Sequence, residues 1–364
     1  MPLATSSTEH GRTDYVSRSL DEETHEDQQM RLMHAALGLA LAGTFGLSLI
    51  SAAPAAPQAP GNGPAVAQAP PPGGRGGGLA GGARGGGAGS LMVLSPKAVK
   101  PAGYTGVHRP HTRLVDLLAR HRGQTDWAEV VVDDTSLHGA WVSMGPGKRT
   151  VRRMNADTHE WWIVQAGQIR FTLDGQEPIL ASKGFLVQVP YRTFYQLETV
   201  GSEPSLRFEV NIEGARKLYP MEGTPEPVEG FRFVPTRVTG GPGTYKEGNR
   251  PYVDFSKVLA GTERGGTFVD DDRGFANIIL GRGQPPPPLT DKGHYHQEGP
   301  EFWLVMAGKV RYHIEGLDVF EADEGDIVYV PKQMWHLASF AGDGPACRLA
   351  MNGFPYQAHM FEAN

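Results

Sequence analysis

Residues 301–316 read EFWLVMAGKVRYHIEG, and residues 160–175 read EWWIVQAGQIRFTLDG. At this offset of 141, seven of the 16 positions are identical and six more are like-for-like swaps. The same offset aligns GFLVQVP at 184–190 with GDIVYVP at 325–331. One offset held across two separate segments marks an internal duplication. Each copy is β in character. Ile169, Phe171 and Leu173 alternate with Gln168, Arg170 and Thr172, and Val310, Tyr312 and Ile314 alternate with Lys309, Arg311 and His313. A period of two with one apolar face predicts a half-buried strand. Gly175 and Gly316 then supply turn residues that tolerate positive φ. Short strands separated by turns predict a sandwich or barrel for each copy. The stretch TRLVDLLARH at 112–121 breaks the pattern and predicts a helix on the outside of the first copy.

The chain outside the duplication is of another kind. The 364 residues include 48 glycines and 29 prolines, about a fifth of the total, against ~12 % in average usage. Residues 54–90 hold much of this excess in Pro-Ala and Gly-Arg-Gly runs with almost nothing to bury. Ordering entropy cannot be offset there, which predicts a flexible linker over 56–110. Upstream, Met30-Arg31 precedes Ala35–Ile50, 16 uncharged residues, and then Ala53-Pro54-Ala55. That order predicts a cleaved signal peptide over 30–55, and a periplasmic or secreted product. Residues 1–29 carry seven acidic side chains, the wrong sign for the start of a signal, so translation is expected to begin at Met30.

A formal net charge of −6 argues against nucleic acid as a partner. With the signal removed, no membrane partner is expected either. A single cysteine, Cys347, excludes an intramolecular disulfide framework and a cysteine-rich metal site. The chemistry must therefore be sought among the histidines and carboxylates.

They gather in the second copy. Gly293-His294-Tyr295-His296 is followed by Glu301 and, beyond Pro331, by His336. His294 and His296 lie two apart on an expected strand and share one face. Neutral imidazoles suit first-row divalent ions, a carboxylate adds one oxygen, and such a set leaves positions open for substrate. The run HYHQEGPE, six residues and Gly308 resemble the first cupin motif, and GDIVYVPKQMWH resembles the second. The chain departs from the pattern at Gln333, where glycine is usual, at Phe340, where asparagine is usual, and in lacking the glycine expected six residues before His294. None of these is a ligand position.

The resemblance covers about residues 111–364 and is to bicupins. It implies an all-β chain of two tandem cupin jelly-roll (double-stranded β-helix) barrels, cupin 1 over 111–222 and cupin 2 over 223–364. Carried over by position, His294, His296, Glu301 and His336 would hold one divalent metal. Iron or manganese comes first; nickel, copper and zinc suit the same donors. Subtracting 141 places Arg153, Asn155, Glu160 and Tyr195 at the matching positions of the first copy. Only one ligand type survives, so a degenerate site is expected, with Arg153 pairing Glu160 in place of an ion. A small register shift would instead bring Asp157 or His159 near.

Similarity to secreted bicupin dioxygenases implies an oxygenase acting on a small organic substrate, with Glu301 able to leave the metal and serve as a base. Two alternatives stand beside it. One is an oxalate-decarboxylase-like enzyme, and the other a non-catalytic cupin that binds a small ligand. Barrel edges make a homo-oligomer an expectation as well.

Overall fold

A computed structural model describes residues 92–245, 250–271, 273–353 and 358–363. The acidic leader, the signal segment and the linker up to residue 91 lie outside the described residues.

The duplication folds as two antiparallel barrels of matching design. In the first, a six-stranded sheet runs in the order Tyr252–Asp254, Phe185–Val189, Glu160–Ala166, Ser205–Ile212, Leu137–Met144, Trp127–Asp133. It is closed by the three-stranded sheet Ile179–Ser182, Gln168–Leu173, Tyr195–Val200 and by the pair Lys217–Leu218 and Met154–Asn155. In the second, the order is His111–Thr112, Ile327–Val330, Glu301–Ala307, Pro345–Asn352, Phe275–Arg282, Gly266–Asp270. The facing sheet runs Phe320–Asp323, Lys309–Ile314, His336–Ala341, His294–Tyr295, Met360–Phe361. This is the bicupin architecture of two jelly-roll barrels.

The strands that open the two repeats, EWWIV and EFWLV, are apolar at every position after the glutamate, and the packing explains it. Trp162 and Val164 point into the first barrel, and Trp303 and Val305 into the second. Trp161 and Ile163, and Phe302, Leu304 and Met306, point the other way, into one shared core between the six-stranded sheets. Phe208 and Phe302 meet there edge to face, with ring centroids 6.3 Å apart. A strand buried on both faces reads as a continuous apolar run. The outer strands, buried on one face, keep the alternation: Gln168–Leu173 alternates strictly between exposed and buried.

Each six-stranded sheet borrows its edge strand from the other repeat. His111 and Thr112 pair with Val328 and Ile327 of the second barrel. Tyr252 and Val253 pair with Val187 and Leu186 of the first. The offset of 141 holds here too, relating His111 to Tyr252 and Leu114 to Phe255. After each borrowed strand comes a short helix, Leu114–Arg120 or Phe255–Leu259.

The first helix was expected outside the first copy. Its N-terminal end belongs instead to the second barrel. The Leu114 amide donates to Asp326 Oδ1 at 3.0 Å, and His111 Nε2 lies 2.6 Å from Asp326 Oδ2. Its far end reaches the first barrel, where Arg120 pairs with Glu129. Gly325 lies beneath Leu114 with φ +88, and a Cβ there would come within 2.3 Å of Leu114 Cδ2.

Candidate metal centre in the second barrel

Four side chains converge in the second barrel from three strands and a loop. His294 sits on the short strand His294–Tyr295, and His296 just beyond it. Glu301 opens the strand Glu301–Ala307, and His336 opens His336–Ala341. Cross-strand pairing sets His294 directly opposite His336. One ligand atom from each of His294, His296, Glu301 and His336 lies within 4.8 Å of all the others. His296 and His336 are each only 2 % exposed, and Glu301 8 %.

The turn that delivers His336 is held in an unusual conformation. Gln333 has φ 61, in the left-handed region, which is why glycine is the usual residue in the motif. The Gln333 amide donates to the His296 carbonyl at 2.6 Å, tying the two ligand-bearing segments together. Arg192, 141 residues earlier, has φ 54 and makes the same bond to the Asn155 carbonyl. The Gln333 side chain also has a use, since its Oε1 accepts from the Ala98 amide at 2.9 Å.

The donor set fits a cation. His296 Nδ1 lies 3.1 Å from the Ala358 carbonyl, and His336 Nδ1 lies 2.9 Å from the Met334 carbonyl. A carbonyl oxygen only accepts, so each Nδ1 carries the proton and each Nε2 presents a lone pair. Those Nε2 atoms lie 3.1 and 3.4 Å from Glu301 Oε2, and His336 Nε2 lies 3.1 Å from His294 Nε2. Lone pairs facing one another at this range repel unless a cation lies among them. An ion with ~2.1 Å bonds at right angles sets neighbouring donors ~3.0 Å apart, close to these separations.

Protonation favours the same reading. Burial, reinforced by His336, lowers the His294 pKa to about 2, so its imidazole is neutral. Burial works to raise the Glu301 pKa, but positive charge on its His296 and His336 side, whether a proton or a metal ion, lowers it and keeps the carboxylate charged. A neutral imidazole and an ionised carboxylate are the forms that bind metal.

Around the four stand aromatic rings of different rank. The Trp303 ring meets His336 edge-on at 5.4 Å, with Tyr312 packed behind it. Trp335 and Tyr295 pack together on the other side of the ligand strand. Tyr329 stacks on His108 at 4.1 Å, in the shared core and away from the ligands. One neighbour escaped the sequence analysis. His359 lies 4.5 Å from His294 and 4.7 Å from His296, ring centre to ring centre. It arrives with the terminal strand Met360–Phe361, whose Phe361 pairs with His294. No spacing in the sequence links it to the four. It becomes visible only through the last strand's antiparallel register.

The matching position in the first barrel is built differently. Glu160 Oε2 accepts from Asn155 Nδ2 at 2.9 Å, and from Tyr195 and Lys217 in close contacts. The expected Arg153–Glu160 pair is therefore corrected: Lys217 supplies the cation on Glu160. Arg153 instead donates through Nε to Tyr195 at 3.1 Å, and its nearest carboxylate, Glu209, lies 3.7 Å away. Burial and the adjacent Glu160 push the Tyr195 pKa well up, so its hydroxyl stays a donor. Asp157 and His159 do not join this cluster. Asp157 pairs with Arg273, and His159 with Asp271 at 2.6 Å. Among the described residues, His294, His296, Glu301 and His336 form the one group able to hold a metal ion.

These features define a β-barrel metal-binding protein with one three-histidine, one-glutamate centre. Residues 285–351, within the second barrel, match the family described as "Cupin domain". No curated protein matches it. Among solved structures it is similar to a cupin 2 conserved barrel domain protein from Leptotrichia buccalis. That match has 9 % identity and a TM-score of 0.47, covering 67 % of this chain and 95 % of that one. It is also similar to a single-substitution variant of the oxalate decarboxylase from Bacillus subtilis, at 15 % identity and a TM-score of 0.42, covering 71 % and 80 %.

Proposed function

We propose that the second barrel is a metal-dependent oxygenase centre, of dioxygenase type, acting on a small organic substrate, with iron or manganese as the ion. The observation that carries the metal is the convergence of two oriented Nε2 lone pairs on a buried, ionised Glu301. The oxygenase reading adds that four protein donors leave coordination positions open on a first-row ion. The ion would bring substrate and dioxygen together and lower the barrier to electron transfer between them.

The chain's own residues would do the rest. The carbonyls of Ala358 and Met334 hold the imidazoles in one tautomer and orientation. The Trp303 ring walls the His336 side, and His359 and Phe361 flank His294. Glu301 would receive the proton of a substrate hydroxyl. The signal-like segment supports an activity exercised outside the cytoplasm.

The test is dissolved-oxygen consumption by the metal-loaded chain across a panel of phenols and enols. Uptake in proportion to substrate, abolished in His336→Ala, is the expected result. Release of CO₂ from oxalate without net oxygen uptake would replace this reading with the decarboxylase. Ligand binding that survives metal removal, without turnover, would replace it with the binding protein.

A further inference from the structure

The first barrel contains a cavity of about 310 Å³ at the place that corresponds to the metal centre. Arg153, Arg216 and Lys217 line it together with Ala140, His138 and Asn211. Two carboxylates, Glu160 and Glu209, also reach it, but each is already supplied with donors. Glu160 takes Asn155, Tyr195 and Lys217. Glu209 takes Trp162 Nε1 at 3.2 Å and Arg207 Nη2 at 3.2 and 3.4 Å. Burial opposes the Glu209 charge, but Arg207, Arg153 and Lys217 hold its pKa at about 2, so this carboxylate stays ionised beside its cations.

Counting Arg207 behind the wall, four cations face two anions. The surplus is best placed in Arg153. Its Nε is engaged by Tyr195, and among the described residues its two terminal nitrogens make no hydrogen bond. Burial works against this charge, yet the nearby Glu160 and Glu209 carboxylates keep the guanidinium protonated. A planar guanidinium edge presented to a confined space matches a carboxylate in a bidentate arrangement. The small Ala140 side chain beside it leaves room for a short organic body, and the volume falls at the lower end of small-molecule sites.

We propose that the first barrel is a metal-independent binding site for a small organic carboxylate, held by Arg153 with Lys217 and Arg216 at its mouth. The site does not depend on the chemistry of the second barrel.

Titration calorimetry on the full chain, with benzoate, acetate and inorganic phosphate as probes, tests this. Each titration is repeated on His296→Ala, which disables the metal centre. Benzoate should bind once per chain in both proteins. Its affinity should fall at least about tenfold in Arg153→Gln, the consequence of losing a charged hydrogen-bond pair. Arg216 is exposed, so Arg216→Ala leaves the fold intact; it should weaken benzoate severalfold and covers the case in which Arg153→Gln fails to fold. Binding that disappears in His296→Ala would assign the carboxylate to the metal and overturn the proposal. So would phosphate binding in preference to both carboxylates, or no carboxylate binding at millimolar concentration.

Discussion

Lys217 in the first barrel occupies the place that His359 occupies in the second. Lys217 opens, and His359 immediately precedes, the short strand that crosses the end of its barrel: Leu218 pairs with Met154, and Met360 pairs with Tyr295, 141 residues after Met154. One residue before each pairing partner come Lys217, in contact with Glu160, and His359, beside His294 and His296. The duplicated scaffold thus delivers a fixed cation to one glutamate and an imidazole to the rim of a metal centre at the other.

If Lys217 replaces the ion, its loss must be felt in the fold. Lys217→Met leaves Glu160, 2 % exposed, without its cation. Breaking a buried pair from one side should cost roughly 3 kcal/mol. The double variant Lys217→Met, Glu160→Gln should recover much of that loss. Denaturant melts of the three proteins check both statements.

His359 should behave as a rim residue rather than as a fifth ligand, since it lies outside the tight cluster of four. His359→Ala is expected to keep the metal while altering the affinity of azide for it. Metal analysis together with an azide titration followed by absorbance separates the two roles.

The exchanged strands make the barrels interdependent. Gly325→Ala would place a methyl group into Leu114 and force a left-handed alanine. Together these should destabilise the chain by about 2–4 kcal/mol. Thermal melting should also show one cooperative transition for both barrels, not two.

Acid should destabilise the first barrel through Glu209. Its folded-state pKa, about 2, lies below its ordinary value of 4.5. A depressed carboxyl contributes stability that is complete above the unfolded value and is lost as pH falls through the folded one. Stability should therefore decline between pH 4.5 and 2. Asp326, whose burial is outweighed by His111 and backbone amides, shifts in the same direction. Glu209→Gln should flatten part of this decline in urea melts taken across the range.

Much of this was legible in the sequence because local pattern carried it. The alternation over Gln168–Leu173 and Lys309–Ile314 announced strands, and the repeat at 141 announced two barrels. The donors His294, His296, Glu301 and His336 were readable because motif spacing reflects strand register. Lys217 and His359 were not, because their places depend on which strand closes the barrel end. The helix at 114–120 was misplaced for the same reason. Its apolar face marks it as packed, but no local signal says that it packs across the duplication. Gln333 shows the reverse case: a departure from the motif that proved to be a strained turn with a side-chain contact of its own.

The most direct test of the central claim is metal content by mass spectrometry of the chain purified without chelator or histidine tag. About one first-row ion per chain, lost in both His296→Ala and Glu301→Gln, is the predicted result. No ion after supplementation with iron, manganese, nickel, copper and zinc in turn, or two ions per chain, would contradict it.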